Sequence, residues 1–201
     1  MEISVFEPNG ETTGQIVQDL NDKISALGQA PSTVILHGNR DAMFEMDTHL
    51  SNLGFPIHGA SSCLGAMNQT GHSTNNPNGV SAMCIFDDDG DYGTAFEPIG
   101  DPYAAGVKAT ARALENADRS GEAPEAVWLS VSPGDEEDVI RGIESVVGSD
   151  VPILGGSAAD NDVSGSWYLF DGTHGGTTVV IGEVSVIAVF FGIQSAVTAA
   201  D

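Results

Sequence analysis

Apolar residues recur along this chain with two periods, one of a helix and one of a strand. Ile16, Val17, Leu20, Ile24 and Leu27 fall on one helical face, with Thr12 or Thr13 as N-cap and Gly28 as the stop. Thr33–His37 then reads as a buried strand. Met43, Met46, Leu50 and Leu53 stripe a helix expected from about Ala42 to Leu53, capped by Asp41 and closed by Gly54. Methionines at that spacing read as core rather than as a cofactor box. A strand over Phe55–Gly59 leads to a polar stretch, Asn68 to Gly79, expected to be an exposed loop. Strands near Val80–Phe86 and Thr94–Ile99 flank Asp87-Asp88-Asp89-Gly90-Asp91, whose Asp-Gly pair predicts a hairpin turn.

The same order then returns. Asp101-Pro102 is an N-cap followed by proline at the first helical position, and Val107, Ala111 and Leu114 are the expected inner face of that helix. A strand Ala126–Val131 precedes a helix whose acidic first turn, Asp135 to Asp138, suits the positive end of the helix dipole. Val139, Ile140, Ile143, Val146 and Val147 face inward, and Gly148 stops the helix. Val184 to Ala200 is uncharged, but it is short for a membrane span, rich in Val and Ile and without basic flanks, so it reads as buried strand. Three local matches underlie the recurrence: Pro31–Leu36 with Pro124–Leu129, Phe55–Ser62 with Val151–Ala158, and Val80–Phe86 with Val184–Phe190. They keep their order, at offsets of 93 to 104 residues. The fold class expected is α/β: a mixed-sheet α/β sandwich in one domain, 1–201, built from two similar repeat units related by a pseudo-twofold. The units are placed at about 3–100 and 101–201.

Charge narrows the partners. Asp and Glu total 29 against 6 Lys and Arg, a formal net charge of −23, while hydrophobic residues make up 41% and allow a real core. Nucleic acid and anionic membrane are excluded as partners, since both need clustered basic residues. A lysine-poor, aspartate-rich surface is what salt adaptation produces; an acidic protein of ordinary habitat is the alternative. The N-terminus shows neither a basic n-region nor an apolar h-region, so a cytoplasmic location is expected.

Candidate chemistry gathers at two matching turns that should follow strands: Gly59-Ala60-Ser61-Ser62 and Gly155-Gly156-Ser157, the latter running on to Asp160. Ligands of α/β sheets bind beyond the carboxyl ends of strands. Small residues admit a ligand to the backbone, free N–H groups and serine hydroxyls hold an anion, and Asp160 suits an ammonium group. Together they fit a small zwitterion such as an amino acid; close strand–helix packing is the plainer reading of the same residues. Signals for catalysis are weak. Cys63 stands where G-x-S-x-G requires its last glycine, and a nucleophile at Cys63, helped by His58 or His72, competes with a buried inert thiol. His37, His49, His58, His72 and His174 show no metal-ligand spacing, and the Asp87–Asp91 run fails the EF-hand pattern, so no metal and no cofactor is expected.

Three stretches resemble the FIST domain, specifically its N-terminal half. They are Pro56–Ser62, Asp101-Pro102-Tyr103-Ala104-Ala105-Gly106, and Val151–Asp160 followed by the aromatic run Trp167–Gly172. Ala60 and Ser62 stand where that family more often has Cys and Thr. The resemblance implies an intracellular sensory domain of signal transduction proteins that binds a small-molecule ligand and is not an enzyme. The ligand-binding positions would be Gly59, Ala60, Ser61, Ser62, Gly155, Gly156, Ser157 and Asp160. It implies a C-terminal companion domain, which normally begins where this chain stops, or a signalling output partner. Some branches of the family bind haem and sense nitric oxide, with His58 and His72 the available axial candidates here. A hydrolase or transferase using Ser61, Ser157 or Cys63 is the third alternative.

Overall fold

A computed structural model of the chain describes residues 1–50, 53–63, 65–68, 71–73, 79–172 and 183–190. The first sheet has the order β1-β6-β2-β3-β10, with β1 Glu2–Phe6, β2 Thr33–Gly38, β3 Ile57–Ser61, β6 Val80–Phe86 and β10 Leu169–Phe170. The second has the order β7-β11-β8-β9, with β7 Asp91–Pro98, β8 Ala126–Val131, β9 Ile153–Ser157 and β11 Glu183–Phe190. In each sheet one strand pair is parallel, β2 with β3 and β8 with β9, and the neighbouring pairs are antiparallel. Strands β1, β6, β2 and β3 occupy the same places as β7, β11, β8 and β9. The repeat read from short sequence matches is therefore a repeat of topology. Sheet pairing carries β7 with the second series, so that series opens at Asp91 rather than near residue 101.

Alternation along the strands separates the layers. Val34 and Leu36 pack with the helices α1, Thr13–Ala26, and α2, Arg40–Leu50, whereas Ile35 turns to the other sheet. Likewise Val127, Leu129 and Val131 pack under α3, Pro102–Asn116, and α4, Glu136–Val147, while Ala126 and Trp128 face the first sheet. Four layers result, helices, sheet, sheet, helices, with the two sheets packed on each other.

Local signals placed most helix ends. Thr12 caps α1 in a capping box with Gln15, and the Ala104 N–H donates to Asp101 Oδ1 at 2.8 Å to start α3. Three expectations are corrected. The Asp87–Asp91 turn makes no hairpin: β6 pairs with β1 and β2, while β7 pairs with β11, so the turn carries the chain from one sheet to the other. Part of the stretch expected to be loop instead forms a small hairpin of β4, Ala66–Asn68, and β5, Gly71–Ser73. The inner face of α3 is Ala105, Gly106, Ala109, Thr110, Ala113 and Leu114; Val107 is only partly buried and Ala111 is exposed.

Small residues win on α3 because α4 lies so close. A Cβ on Gly106 would sit 2.4 Å from Val139 O, and one on Gly142 would sit 2.3 Å from Tyr103 O. Gly142→Ala, which helix propensity alone would favour by about 1 kcal/mol, is instead expected to destabilise by about 1–3 kcal/mol through overpacking. Urea denaturation reads the sign directly, and a raised midpoint would contradict the close crossing.

Candidate functional site

The carboxyl ends of both parallel strand pairs open on one cleft of about 470 Å³. The first series supplies His37, Ala60, Ser61, Ser62 and Cys63 to its lining; the second supplies Trp128, Ser130, Leu154 and Gly155 to Ser157, with Ala159 beyond. Ser61 ties the two turns together. Its hydroxyl donates to Ala159 O at 2.7 Å, and its carbonyl accepts the Ala159 N–H at 3.0 Å. The Tyr168 N–H donates in turn to Ser61 Oγ at 2.9 Å.

Of the residues expected at the site, Ala60, Ser61, Ser62, Gly155, Gly156 and Ser157 line this cleft together. Gly59 and Asp160 do not. A Cβ on Gly59 would lie 2.1 Å from Phe170 Cε1, so the glycine makes room for that ring. The carboxylate of Asp160 is turned into its own loop, where it accepts the N–H groups of Val163, Gly165 and Ser166 at 2.6 to 2.7 Å. Those bonds, led by Ser166, hold its carboxyl below the usual aspartate range. The ammonium partner expected of Asp160 is thus a loop anchor.

Strand alternation adds residues that turn chemistry alone did not single out. His37 lies on the inter-sheet side of β2 with Ile35, and Trp128 and Ser130 share the inter-sheet side of β8. His58 lies under the cleft, fully buried, with Nε2 2.7 Å from Ser130 Oγ across the sheet–sheet interface. Burial, and then the charge of His37, lower its pKa to about 3. The His37 ring, 6.4 Å from that of His58, has its pKa lowered by burial too, against a hydrogen bond to the Ala60 backbone. Both imidazoles are neutral at pH 7.

The Ser130–His58 pair resembles a nucleophile and its base in spacing alone. A base whose pKa lies near 3 takes up a proton poorly at neutral pH. The Ser157 hydroxyl donates to Glu136 Oε1 at 2.5 Å, an arrangement that lowers the Glu136 pKa. Cys63 is exposed on the rim. The His72 side chain and His174 lie outside the described residues. No group of three or more His, Cys, Asp or Glu among the described residues is placed to hold a metal ion. No helix among them is long and apolar enough to cross a membrane.

These features define a class, a duplicated α/β/β/α module with one cleft at the ends of its paired parallel strands. Within that class the chain belongs to the FIST family: the model of the FIST N domain matches residues 32–199. Members of this family are sensory domains of signal transduction proteins. No curated protein matches the sequence. Among solved structures, a cyanuric acid hydrolase from A. caulinodans is similar at a TM-score of 0.46 and 10% identity, over 93% of this chain and 67% of that one. A second cyanuric acid hydrolase structure gives a TM-score of 0.38 and 14% identity over the same shares. Likeness at this level bears on neither activity nor site.

Proposed function

We propose that this domain receives a small metabolite in the cleft between the Ser61 and Ser157 turns and reports its occupancy to a signalling partner without catalysing a reaction. The observation that carries the reading is that both halves of the repeat line one cleft. Its volume of about 470 Å³ falls in the range of small-molecule sites, roughly 300–1,000 Å³. A ligand held by both halves favours one arrangement of the two sheets over others, and that preference is what a C-terminal companion domain or other output partner would read. Support for a non-catalytic role comes from the hydroxyls: Ser61 donates to a backbone carbonyl and Ser157 to a carboxylate, neither of them to a histidine. Haem is the weaker reading, since His58 Nε2 is already engaged by Ser130. The acidic surface supports a partner that is neither nucleic acid nor anionic membrane.

A thermal-shift screen of metabolites tests this. A true ligand at 100 times its Kd stabilises by about 2.7 kcal/mol, which for a chain of this size raises Tm by roughly 5–10 °C. Gly156→Phe is the control: no atom lies within 4 Å of a Cβ there, so the fold accepts the ring while the cleft fills. The shift is expected to vanish in that variant. A shift that survives it places the ligand elsewhere and overturns the proposal.

A further inference from the structure

We propose that the cleft selects a small, largely apolar molecule that donates a hydrogen bond and carries no anionic group, and that it discriminates against carboxylates, amino acids included. This rests on the cleft being the binding site. At both turns four of the backbone donors an anion could use are already engaged. The Ser61 N–H donates to Tyr168 O, the Ser62 N–H to Gly38 O and the Ala158 N–H to Val131 O, each at 2.8 Å, and the Ala159 N–H donates to Ser61 O. The hydroxyl protons are engaged too: Ser61 on Ala159 O, Ser62 on Gly65 O at 2.5 Å, and Ser157 on Glu136. The bond from the His37 ring to the Ala60 backbone favours the protonated ring, which marks His37 as its donor. A neutral imidazole that donates from one nitrogen keeps a lone pair on the other. Trp128 Nε1, a donor with no partner among the described residues, is shut off from solvent.

What the cleft still offers are lone pairs, on Ser62 Oγ, Ser157 Oγ and His37, set among Trp128, Leu154 and Ala60. None of the described residues that line it is Lys, Arg, Asp or Glu. The Glu136 carboxylate lies at the rim, against Ser157. A carboxylate entering here would leave water without gaining a cation, and unpaired burial of a charge is expensive. The net charge of −23 opposes an anion further. An alcohol meets acceptors instead, and an ammonium group meets them beside the Glu136 carboxylate at the rim.

Four probes that share one isobutyl group separate these outcomes: isoamyl alcohol, isoamylamine, 4-methylpentanoate and leucine. Each is titrated to about 10 mM against the full chain, a range that captures millimolar Kd values, by protein-observed NMR and tryptophan fluorescence, in 0.1 M and 1 M NaCl. The alcohol and the amine are expected to bind at least tenfold more tightly than 4-methylpentanoate and leucine at both salts, and to lose binding in Gly156→Phe. Equal or tighter binding of 4-methylpentanoate or leucine overturns the inference and leaves the cleft standing as the site. A preference that disappears at 1 M salt, where the Debye length is near 3 Å, assigns the selectivity to net charge and overturns it as well. Silence of all four probes, or binding indifferent to Gly156→Phe, removes the cleft itself as the site and the inference with it.

Discussion

Replacing Phe170 with alanine is expected to destabilise the protein by about 3–5 kcal/mol, a large part of the 5–15 kcal/mol that holds a typical domain together. Phe170 is fully buried, and it closes the outer side of the first sheet, where β10 pairs antiparallel with β3 and sets Phe170 opposite Gly59. Its ring lies where a Cβ of residue 59 would stand, and it continues an aromatic row through Tyr168, 6.1 Å away, to Phe44, 5.3 Å further on. Truncation leaves a cavity over Gly59. Urea denaturation monitored by circular dichroism gives the loss. A double-mutant cycle with Gly59→Ala then tests the contact. The added methyl should be costly beside the native ring and much cheaper once the ring is gone, so the two changes should be non-additive by more than 0.5 kcal/mol. Additive effects would mean that Phe170 does not sit on Gly59.

That contact also shows where sequence reading succeeds and where it stops. Helix ends were legible because their signals are local: Thr12 with Gln15, Asp101 with Pro102, and Gly148 past the end of α4 each act within a few residues. The Asp-Gly turn after β6 was misread because hairpin formation is decided by which strands remain to be paired. Here β1 and β2 already flank β6, and Asp87 becomes a buried acceptor for the Tyr92 hydroxyl at 2.9 Å. The inner face of α3 was misread for a different reason. Large aliphatic residues mark a helix face against a sheet, but a close helix crossing selects the smallest residues, and Gly106 and Gly142 form that crossing.

The two turns of the cleft were visible through their repetition, since Ser61 and Ser157 fall at matching places in the matched segments. The direction of the Asp160 side chain was not. It is set by three N–H groups of a loop with no periodic pattern, and nothing short of the loop's backbone path reveals it. His37, Trp128 and Ser130 each alternate in strands that the pattern did locate. Which of the two faces met the other sheet depended on pairing between strands some 40 to 60 residues apart, and period alone names the faces without ranking them.

The pH dependence of stability should carry the mark of His58. Its pKa is lowered from 6.5 to about 3 in the folded protein, with burial the main cause and the charge of His37 second. The unfolded chain therefore binds a proton below about pH 6.5 that the native protein refuses until about pH 3. Stability from this residue is complete above 6.5 and is lost as the pH falls towards 3. Between pH 7.5 and pH 5 the expected loss is about 2 kcal/mol. His37, whose pKa is lowered as well, adds a loss of the same sign. Carboxylates with lowered pKa, Asp19, Glu136 and Asp160, lose their contribution as the pH falls through their ordinary values of 3.8 to 4.5 and below, so the interval down to pH 5 reports mainly the imidazoles. His58→Gln keeps an amide within reach of Ser130 Oγ but has nothing to titrate. Urea denaturation of both proteins at pH 7.5 and 5 should show the wild type losing about 2 kcal/mol more than the variant over that interval. Parallel pH profiles would mean that His58 takes up its proton in the folded protein as readily as in the unfolded chain. The bond between the sheets would then join an imidazolium to Ser130, and the neutral floor of the cleft would have to be redrawn.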